Sequence, residues 1–320
     1  MNLISSHLYP RVYQLSLPTP FPIGPVNVYL IVDDKIVLID AGPKTEAAFD
    51  ALQRQFRERK LNIENIDEIW ITHAHADHFG LASRLANISG AEVLGHPGDR
   101  NQFEYGKDLE SYRSFFNELK LPELRITSFL EQFRYFVPFL EPMVPTIWLD
   151  DGMHLDTGKH QFEVVPLPGH SPGHVGFFEK SGGVFSGDVL LESTSTNALI
   201  GFDADTGDRL DSLLDLRLSI QRVSAAQYIF PGHGNVFDSP EPLAEKHLTS
   251  QEDRMTAIIG LLTENPLGPL ELSEKLFPEV RYPQERYLAF SEVMGYLDWG
   301  MRVRSIRKIA DDGPVRYRSR

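Results

Sequence analysis

Along the first hundred positions the spacing of apolar residues changes several times. "VNVYLIVDD" and "KIVLIDAG" are short runs rich in Val and Ile, which predicts strands. Asp33 and Asp34 between them suit a hairpin turn. "TEAAFDALQRQFRERK" switches to helical spacing, with Ala47, Phe49, Leu52 and Phe56 mainly on one face. "IDEIWIT" then reads as a strand, "GLASRLANIS" as a helix and "AEVLGH" as another strand. A second strand-rich stretch runs from about Thr146 to Pro231, with "HQFEVVPLPG", "VGFFEKSGGVFSGD" and "AAQYIFPG". The Ser181–Gly183 segment suits a hairpin turn. From about Pro240 the pattern is helical, and a basic hairpin turned by Asp-Asp-Gly-Pro ends the chain. No repeat of fixed period is visible.

Positions 101–140 depart from this scheme. Ten aromatics fall there, one residue in four against 11% overall, and Pro122, Pro138, Pro142 and Pro145 punctuate the stretch. The pattern predicts short helices with apolar faces, inserted between the two strand-rich halves.

Composition narrows the class. At 320 residues the chain suits two domains, or one large domain with additions. An apolar fraction of 42% excludes general disorder. No run of about 18 apolar residues exists, which predicts no membrane span. The first 20 residues lack a basic start and a continuous apolar core, so no signal peptide is read and a cytoplasmic location is expected. With no cysteine, disulfides, thiolate metal sites and cysteine nucleophiles are all excluded. The net charge of −14 argues against a protein that coats nucleic acid or anionic membrane. That charge is uneven: positions 301–320 hold seven Arg and Lys against two Asp, so the preceding 300 residues carry −19. A solvated basic terminus is the plain reading, and an anion or nucleic-acid patch is the sharper one.

The chemistry concentrates in "WITHAHADHFG", where His73, His75, Asp77 and His78 fall within six positions between a strand and a helix. Strand ends before helices are where α/β proteins place function. Imidazole and carboxylate suit zinc and related divalent ions. His170 in "PLPGHSPGH", Asp188 in "FSGD" and His233 in "FPGHG" each follow an apolar run and lie beside Gly. Singly, each would be a capping, core or turn residue. Together they complete one set of five histidines and two aspartates, enough for two metals. Asp40, in "VLIDAG", reads as a residue that orients the ligand loop.

"THAHADH", with "LIDAG" before it and "PGHSPGH", "FSGD" and "PGHG" after it, resembles the metallo-β-lactamase superfamily over roughly Tyr13 to Asn235. The resemblance implies an α/β fold, an αββα sandwich with metals at one edge, for a catalytic domain over 1–238 with the helical insert at about 101–145. It implies one metal held by His73, His75 and His170, a second by Asp77, His78 and His233, and Asp188 bridging both. Asp77 and Asp188 would also position the attacking hydroxide. His174 matches a family histidine that is not a ligand; it is read as structural, as are His7, His96, His154, His160 and His247. Residues 239–320 resemble the winged-helix extension behind some of these domains, although the usual His-Arg pair of its opening helix is here Ser250-Gln251.

Two divalent ions about 3.5–4 Å apart can hold a hydroxide between them and polarise a carbonyl or phosphoryl oxygen. Zinc is the expected metal, with manganese or iron as alternatives. His75 stands where the diiron redox branch resembles H-x-E-x-D, which favours hydrolysis, and Asp188 points toward the glyoxalase II, lactonase, thioesterase and nuclease branches. A Lys-Lys-Asp-type stretch for glutathione is not found. The expectation is therefore hydrolysis of an ester, thioester or lactone-type carbonyl on a small molecule with an apolar or acyl group. The aromatic insert, with Tyr105, Phe133, Tyr135 and Phe136, would act as a lid, or else would serve packing or a homodimer contact. The rivals are a phosphodiesterase or ribonuclease gripping nucleic acid with the basic wing, and a non-catalytic metal-binding protein.

Overall fold

A computed structural model of the chain describes residues 9–104, 109–280, 282–309 and 313–320. Strands β1 (Val12–Leu17), β2 (Val26–Val32), β3 (Ile36–Ile39), β4 (Glu68–Trp70), β5 (Glu92–Gly95) and β6 (Ile147–Trp148) form one sheet in chain order. Pairing is antiparallel from β1 to β3 and parallel from β3 to β6. Strands β7 (His154–Asp156), β8 (Gln161–Pro166), β9 (Val175–Glu179), β10 (Gly183–Gly187), β11 (Tyr228–Pro231) and β12 (Phe237–Asp238) form a second sheet, also in chain order. There β10 and β11 run parallel and the other neighbours antiparallel. Asp33-Asp34 turns β2 into β3, and Ser181-Gly182 turns β9 into β10, both as the sequence predicts.

The side-chain period of two explains the layers. On β2, Val28 and Leu30 enter one core while Tyr29 and Ile31 enter another. Leu38 and Ile69 follow the first pair; Val37, Ile39 and Trp70 follow the second. In the second sheet Phe162, Val164, Phe177, Phe185 and Phe230 meet Tyr29, Ile31 and Trp70 between the sheets, whereas Val184 and Ile229 face outward to helices. The central strands of both sheets are thus buried on both faces, which is why they read as near-continuous apolar runs.

The helices, in chain order, are α1 (Glu46–Glu58), α2 (Ala76–Phe79), α3 (Ala82–Ser89), α4 (Arg100–Phe103), α5 (Leu109–Glu118), α6 (Glu123–Phe136), α7 (Ser212–Val223), α8 (Glu241–Glu264), α9 (Pro269–Leu276) and α10 (Pro283–Arg302). Helix α1 starts where Thr45 Oγ1 accepts the Ala48 N–H at 3.1 Å. Its buried face is Ala48, Phe49, Ala51, Leu52 and Phe56. The predicted face used Ala47, which is exposed; the spacing of four from Phe56 through Leu52 leads to Ala48 instead. Leu52 and Phe56 pack with Leu85 of α3 over the first sheet, and Leu216 and Ile220 of α7 lie over the second, completing the αββα layers.

Most insert aromatics serve packing. Tyr112, Phe115 and Phe116 of α5 and Phe129 of α6 join Tyr287, Phe290 and Tyr296 of α10 in one core cluster with Leu216. Helix α10 is followed by an antiparallel hairpin, β13 (Ile306–Ile309) and β14 (Arg316–Ser319). Among the described residues no helix is long and apolar enough to cross a membrane. His7, Tyr105 and the Asp311-Asp312 part of the final turn lie outside the described residues.

Candidate metal centre

The seven sequence-predicted metal residues converge at one edge of the sandwich. His73 lies on the loop that leaves β4, His75 is the residue before α2, and Asp77 and His78 lie within that four-residue helix. His170 comes from the loop between β8 and β9, Asp188 follows β10 and His233 follows β11. Their donor atoms fall into three overlapping triads: His73–His75–His170, His73–His78–Asp188 and Asp77–His78–His233, each with atoms within 4.8 Å of one another. Asp188 Oδ2 is 3.5 Å from His78 Nε2, 3.7 Å from His170 Nε2 and 3.6 Å from His233 Nε2, so it stands between the outer triads. These separations exceed the roughly 2.7–3.2 Å of an N–H···O bond. Gly232 permits this crowding: a Cβ there would come within 2.2 Å of Asp188 Oδ1 and 2.7 Å of His78 Cε1.

The far side of each ring fixes the tautomer. His170 Nδ1 faces the Asn197 carbonyl at 3.0 Å, and His233 Nδ1 faces the Pro25 carbonyl at 2.8 Å. Carbonyls only accept, so both Nδ1 atoms carry hydrogen, which leaves Nε2 as the nitrogen that can ligate. His78 Nδ1 gives its hydrogen to Asp40 Oδ2 at 2.8 Å. Thr72 Oγ1 donates to Asp40 and is 3.1 Å from His73 Nδ1, from which it can accept. The outcome is that His73, His78, His170 and His233 all bury Nε2 atoms with no hydrogen-bond partner, alongside Asp188 Oδ1. Orphaned buried polar atoms cost about 1–3 kcal/mol each. Four such Nε2 atoms gathered with Asp188 fit a cation there, and imidazole with carboxylate fits a divalent one.

The electrostatics agree. Burial pushes His73 well below the usual imidazole range and His75 down to about 3, with neighbouring rings adding to the effect. Burial also lowers His170. His78 and His233 resist their burial and are raised by Asp188 and the other carboxylates. Burial would raise Asp77 and Asp188, but His78 and His233 pull both down. The neighbourhood therefore favours ionised carboxylates and positive charge beside them. His75, Asp77 and His170 are half-buried and the other four buried, so the edge opens to solvent along the former three.

Asp40 lies beside the ligand loop, bonded to His78 and Thr72, and His174 lies behind Asp188 and His73. His174 Nε2 accepts the Asp188 backbone N–H at 3.2 Å, and its ring stacks on His73 at 4.6 Å. Among the described residues His96, His154, His160 and His247 lie outside the three triads. Sequence reasoning missed Thr72, Asn197 and Asp99. The first two act through a hydroxyl or a backbone carbonyl, which composition cannot mark. Asp99 is buried with partners more than 70 positions away in the chain.

The insert residues named as a lid part company. Phe133 packs against Tyr112 at 4.5 Å and Tyr287 at 5.3 Å, in the core beneath α10. Tyr135 and Phe136 instead meet Phe21 at 6.5 and 5.4 Å, with Phe139 joining Phe21 at 5.3 Å. Phe133 and Phe136, one turn apart in α6, therefore meet different partners, and the chain turns through Val137–Phe139 directly after Phe136. At the C-terminus, Arg302 is paired with Asp211 and is not a free surface cation.

The Lactamase_B model of the metallo-beta-lactamase superfamily matches residues 22–233, and the chain belongs to that superfamily. It is 33% identical over 294 residues to the probable metallo-hydrolase YqjP of Bacillus subtilis, covering 90% of this chain and 91% of that one. It is 29% identical over 214 residues to the hydroxyacylglutathione hydrolase GloC of Haemophilus influenzae, covering 65% and 85%. The crystal structure of the metallo-beta-lactamase family protein TTHA1429 from Thermus thermophilus superposes with a TM-score of 0.84 at 27% identity, covering 98% of this chain and 100% of that one.

Proposed function

We propose that the chain is a hydrolase that uses two divalent metal ions, zinc foremost, to cleave an ester, thioester or lactone-type carbonyl. The observation that carries this reading is the set of four unpartnered Nε2 atoms gathered around Asp188. His73, His75 and His170 would hold one ion, Asp77, His78 and His233 the other, with Asp188 shared. Such ions supply Lewis acidity, polarising a carbonyl and making water a competent nucleophile near neutral pH. The chain's own part is positional. Asp40, Thr72 and the carbonyls of Pro25 and Asn197 keep the Nε2 lone pairs aimed inward. Asp77 and Asp188, kept ionised by the histidines, can accept a hydrogen bond from the attacking water and hold it facing the carbonyl.

The likeness to a hydroxyacylglutathione hydrolase supports a thioester. The aromatic group Phe21, Tyr135, Phe136 and Phe139 supports an apolar acyl portion. The Phe139 carbonyl accepts the Lys44 N–H at 2.8 Å and lies against Gly80, just past α2. The loop carrying Phe21 leads to Pro25, whose carbonyl holds His233. The group thus flanks the Asp77–His78–His233 side.

Turnover of acyl-thioester, lactone, phosphodiester and single-stranded RNA substrates tests the proposal. We expect carbonyl hydrolysis that a chelator and His73→Ala both abolish, and that zinc or manganese restores in the stripped wild type. Turnover confined to the phosphodiester or RNA would overturn it in favour of a nuclease.

A further inference from the structure

Asp99 is fully buried at 0% exposure and closes the turn "HPGD" that follows β5. Its Oδ2 accepts the Ala74 N–H at 2.8 Å and the Ser171 hydroxyl at 2.8 Å, and its Oδ1 accepts the Gly173 N–H at 2.6 Å. Ala74 lies between His73 and His75; Ser171 follows His170. One carboxylate therefore ties together the two loops that carry the His73–His75–His170 triad. The backbones are interlocked at the same point. A Cβ on Gly173 would come within 2.3 Å of the Asp99 nitrogen, and one on Gly98 within 2.8 Å of the Gly173 Cα. The other triad is held differently: His78 by Asp40, and His233 by the Pro25 carbonyl.

Only a carboxylate answers this arrangement. Three donors converge on Asp99, and both its oxygens accept. An amide would offer one accepting oxygen and turn its NH2 against a backbone N–H.

We infer that Asp99 is a positioning residue that sets the metal affinity of the His73–His75–His170 position and leaves the Asp77–His78–His233 position alone. The inference rests on the two-ion reading above. It predicts an asymmetry which a merely structural buried aspartate would not produce.

The test uses full-length protein stripped of metal and titrated with zinc against a chromophoric chelator, so that two binding steps are resolved. His75→Ala and Asp77→Ala identify which step belongs to which position. Asp99→Asn is expected to weaken the His75 step by about 10–100-fold, as loss of a ligand-orienting partner does, and to leave the Asp77 step unchanged. Ser171→Ala, which removes one of the three bonds, is expected to weaken the same step by less. Near-UV circular dichroism and the unfolding midpoint of the stripped variants report the fold. If Asp99→Asn fails to fold, Ser171→Ala decides by the same comparison. Equal weakening of both steps in a folded variant, or no weakening of either, overturns the inference. A wild type that binds one ion defeats the two-ion reading but leaves the clasp to be judged on that ion's affinity. A wild type that binds none defeats both.

Discussion

His78 Nδ1 lies 2.8 Å from Asp40 Oδ2, and the same carboxylate accepts the Thr72 N–H at 2.8 Å and its hydroxyl at 2.9–3.0 Å. One residue at the end of β3 thereby orients His78 directly and His73 through Thr72. The backbone at Asp40 has φ +60, in the left-handed region that non-glycine residues rarely enter. Such strain costs on the order of 1–3 kcal/mol and persists where surrounding contacts impose it. Asn tolerates the same backbone. Asp40→Asn is therefore expected to keep the fold and to weaken metal retention about 10–100-fold, measured by chelator competition. Unchanged affinity would show that Asp40 does not govern the His78 ring.

Asp188 and Asp77 differ in what they touch. Asp188 Oδ2 is within 3.7 Å of Nε2 atoms from both outer triads, whereas Asp77 Oδ2 approaches His233 at 3.4 Å and His78 at 4.0 Å, both in one. Asp188→Ala is expected to lower metal content at both positions and Asp77→Ala at one. Elemental analysis of the two variants checks this; equal loss of a single ion from each would show that Asp188 does not bridge.

The sequence made the edge of the sandwich readable because its motifs are local. His73 to His78 span six residues, and Asp188 and His233 each follow an apolar run that can only be a strand in this alternation. The strands β2 and β3 were legible from their apolar runs, whereas their burial on both faces, Tyr29 and Ile31 one way and Val28 and Leu30 the other, is seen only in the structure. What did not show was contact between distant segments. The bonds of Asp99 to Ser171 and Gly173 span 72 and 74 positions. The aromatic insert gave its composition away but not its partners. Phe116 and Phe129 find Phe290, far along the chain, and no local period encodes that meeting.

His160 and Glu179 give a pH signature away from the metal residues. His160 Nδ1 faces Glu179 Oε1 at 3.4 Å and Nε2 faces the Pro10 carbonyl at 3.2 Å, so a doubly protonated ring satisfies both acceptors. The bond to Glu179 raises His160 above its ordinary value against its own burial, with the Pro10 carbonyl, Glu179's charge and Asp33 adding to the rise. Burial would raise Glu179, but His160 and Ser181 hold it low. The raised histidine stabilises the fold below its unfolded value of about 6.5, and that contribution is lost as pH rises through the folded value. The depressed Glu179 contributes above its unfolded value of about 4.3 and is lost as pH falls through the folded one. Thermal unfolding of wild type and His160→Gln from about pH 5.5 to 8.5 is expected to show a wild-type advantage that shrinks as pH rises. A pH-independent difference would mean that the ring titrates alike in the folded and unfolded chain, and an advantage that grows with pH would mean that it stays neutral in the fold.

Phe133 and Phe136 lie three positions apart in α6, yet the structure gives them opposite work. Phe133 sits between Tyr112 and Tyr287, where its ring joins α5, α6 and α10. Phe136 is 37% exposed, Tyr135 is 40% exposed, and both lean on Phe21 of the loop leading to Pro25, whose carbonyl faces His233. Burying an aromatic side chain contributes up to about 3 kcal/mol, so Phe133→Ala should lower the unfolding midpoint while leaving the ranking of substrates intact. Phe136→Ala loses less buried area than Phe133→Ala and should lower the unfolding midpoint by less. If its ring faces an acyl chain, the loss of that contact should cost long apolar substrates about one tenfold step in kcat/KM, with little change for short ones and with metal content retained. Paired thermal melts and a chain-length series decide between the roles. If Phe136→Ala keeps the wild-type preference across the series, the exposed aromatic group does not touch substrate, and the apolar acyl portion of the proposed function loses its support in the structure.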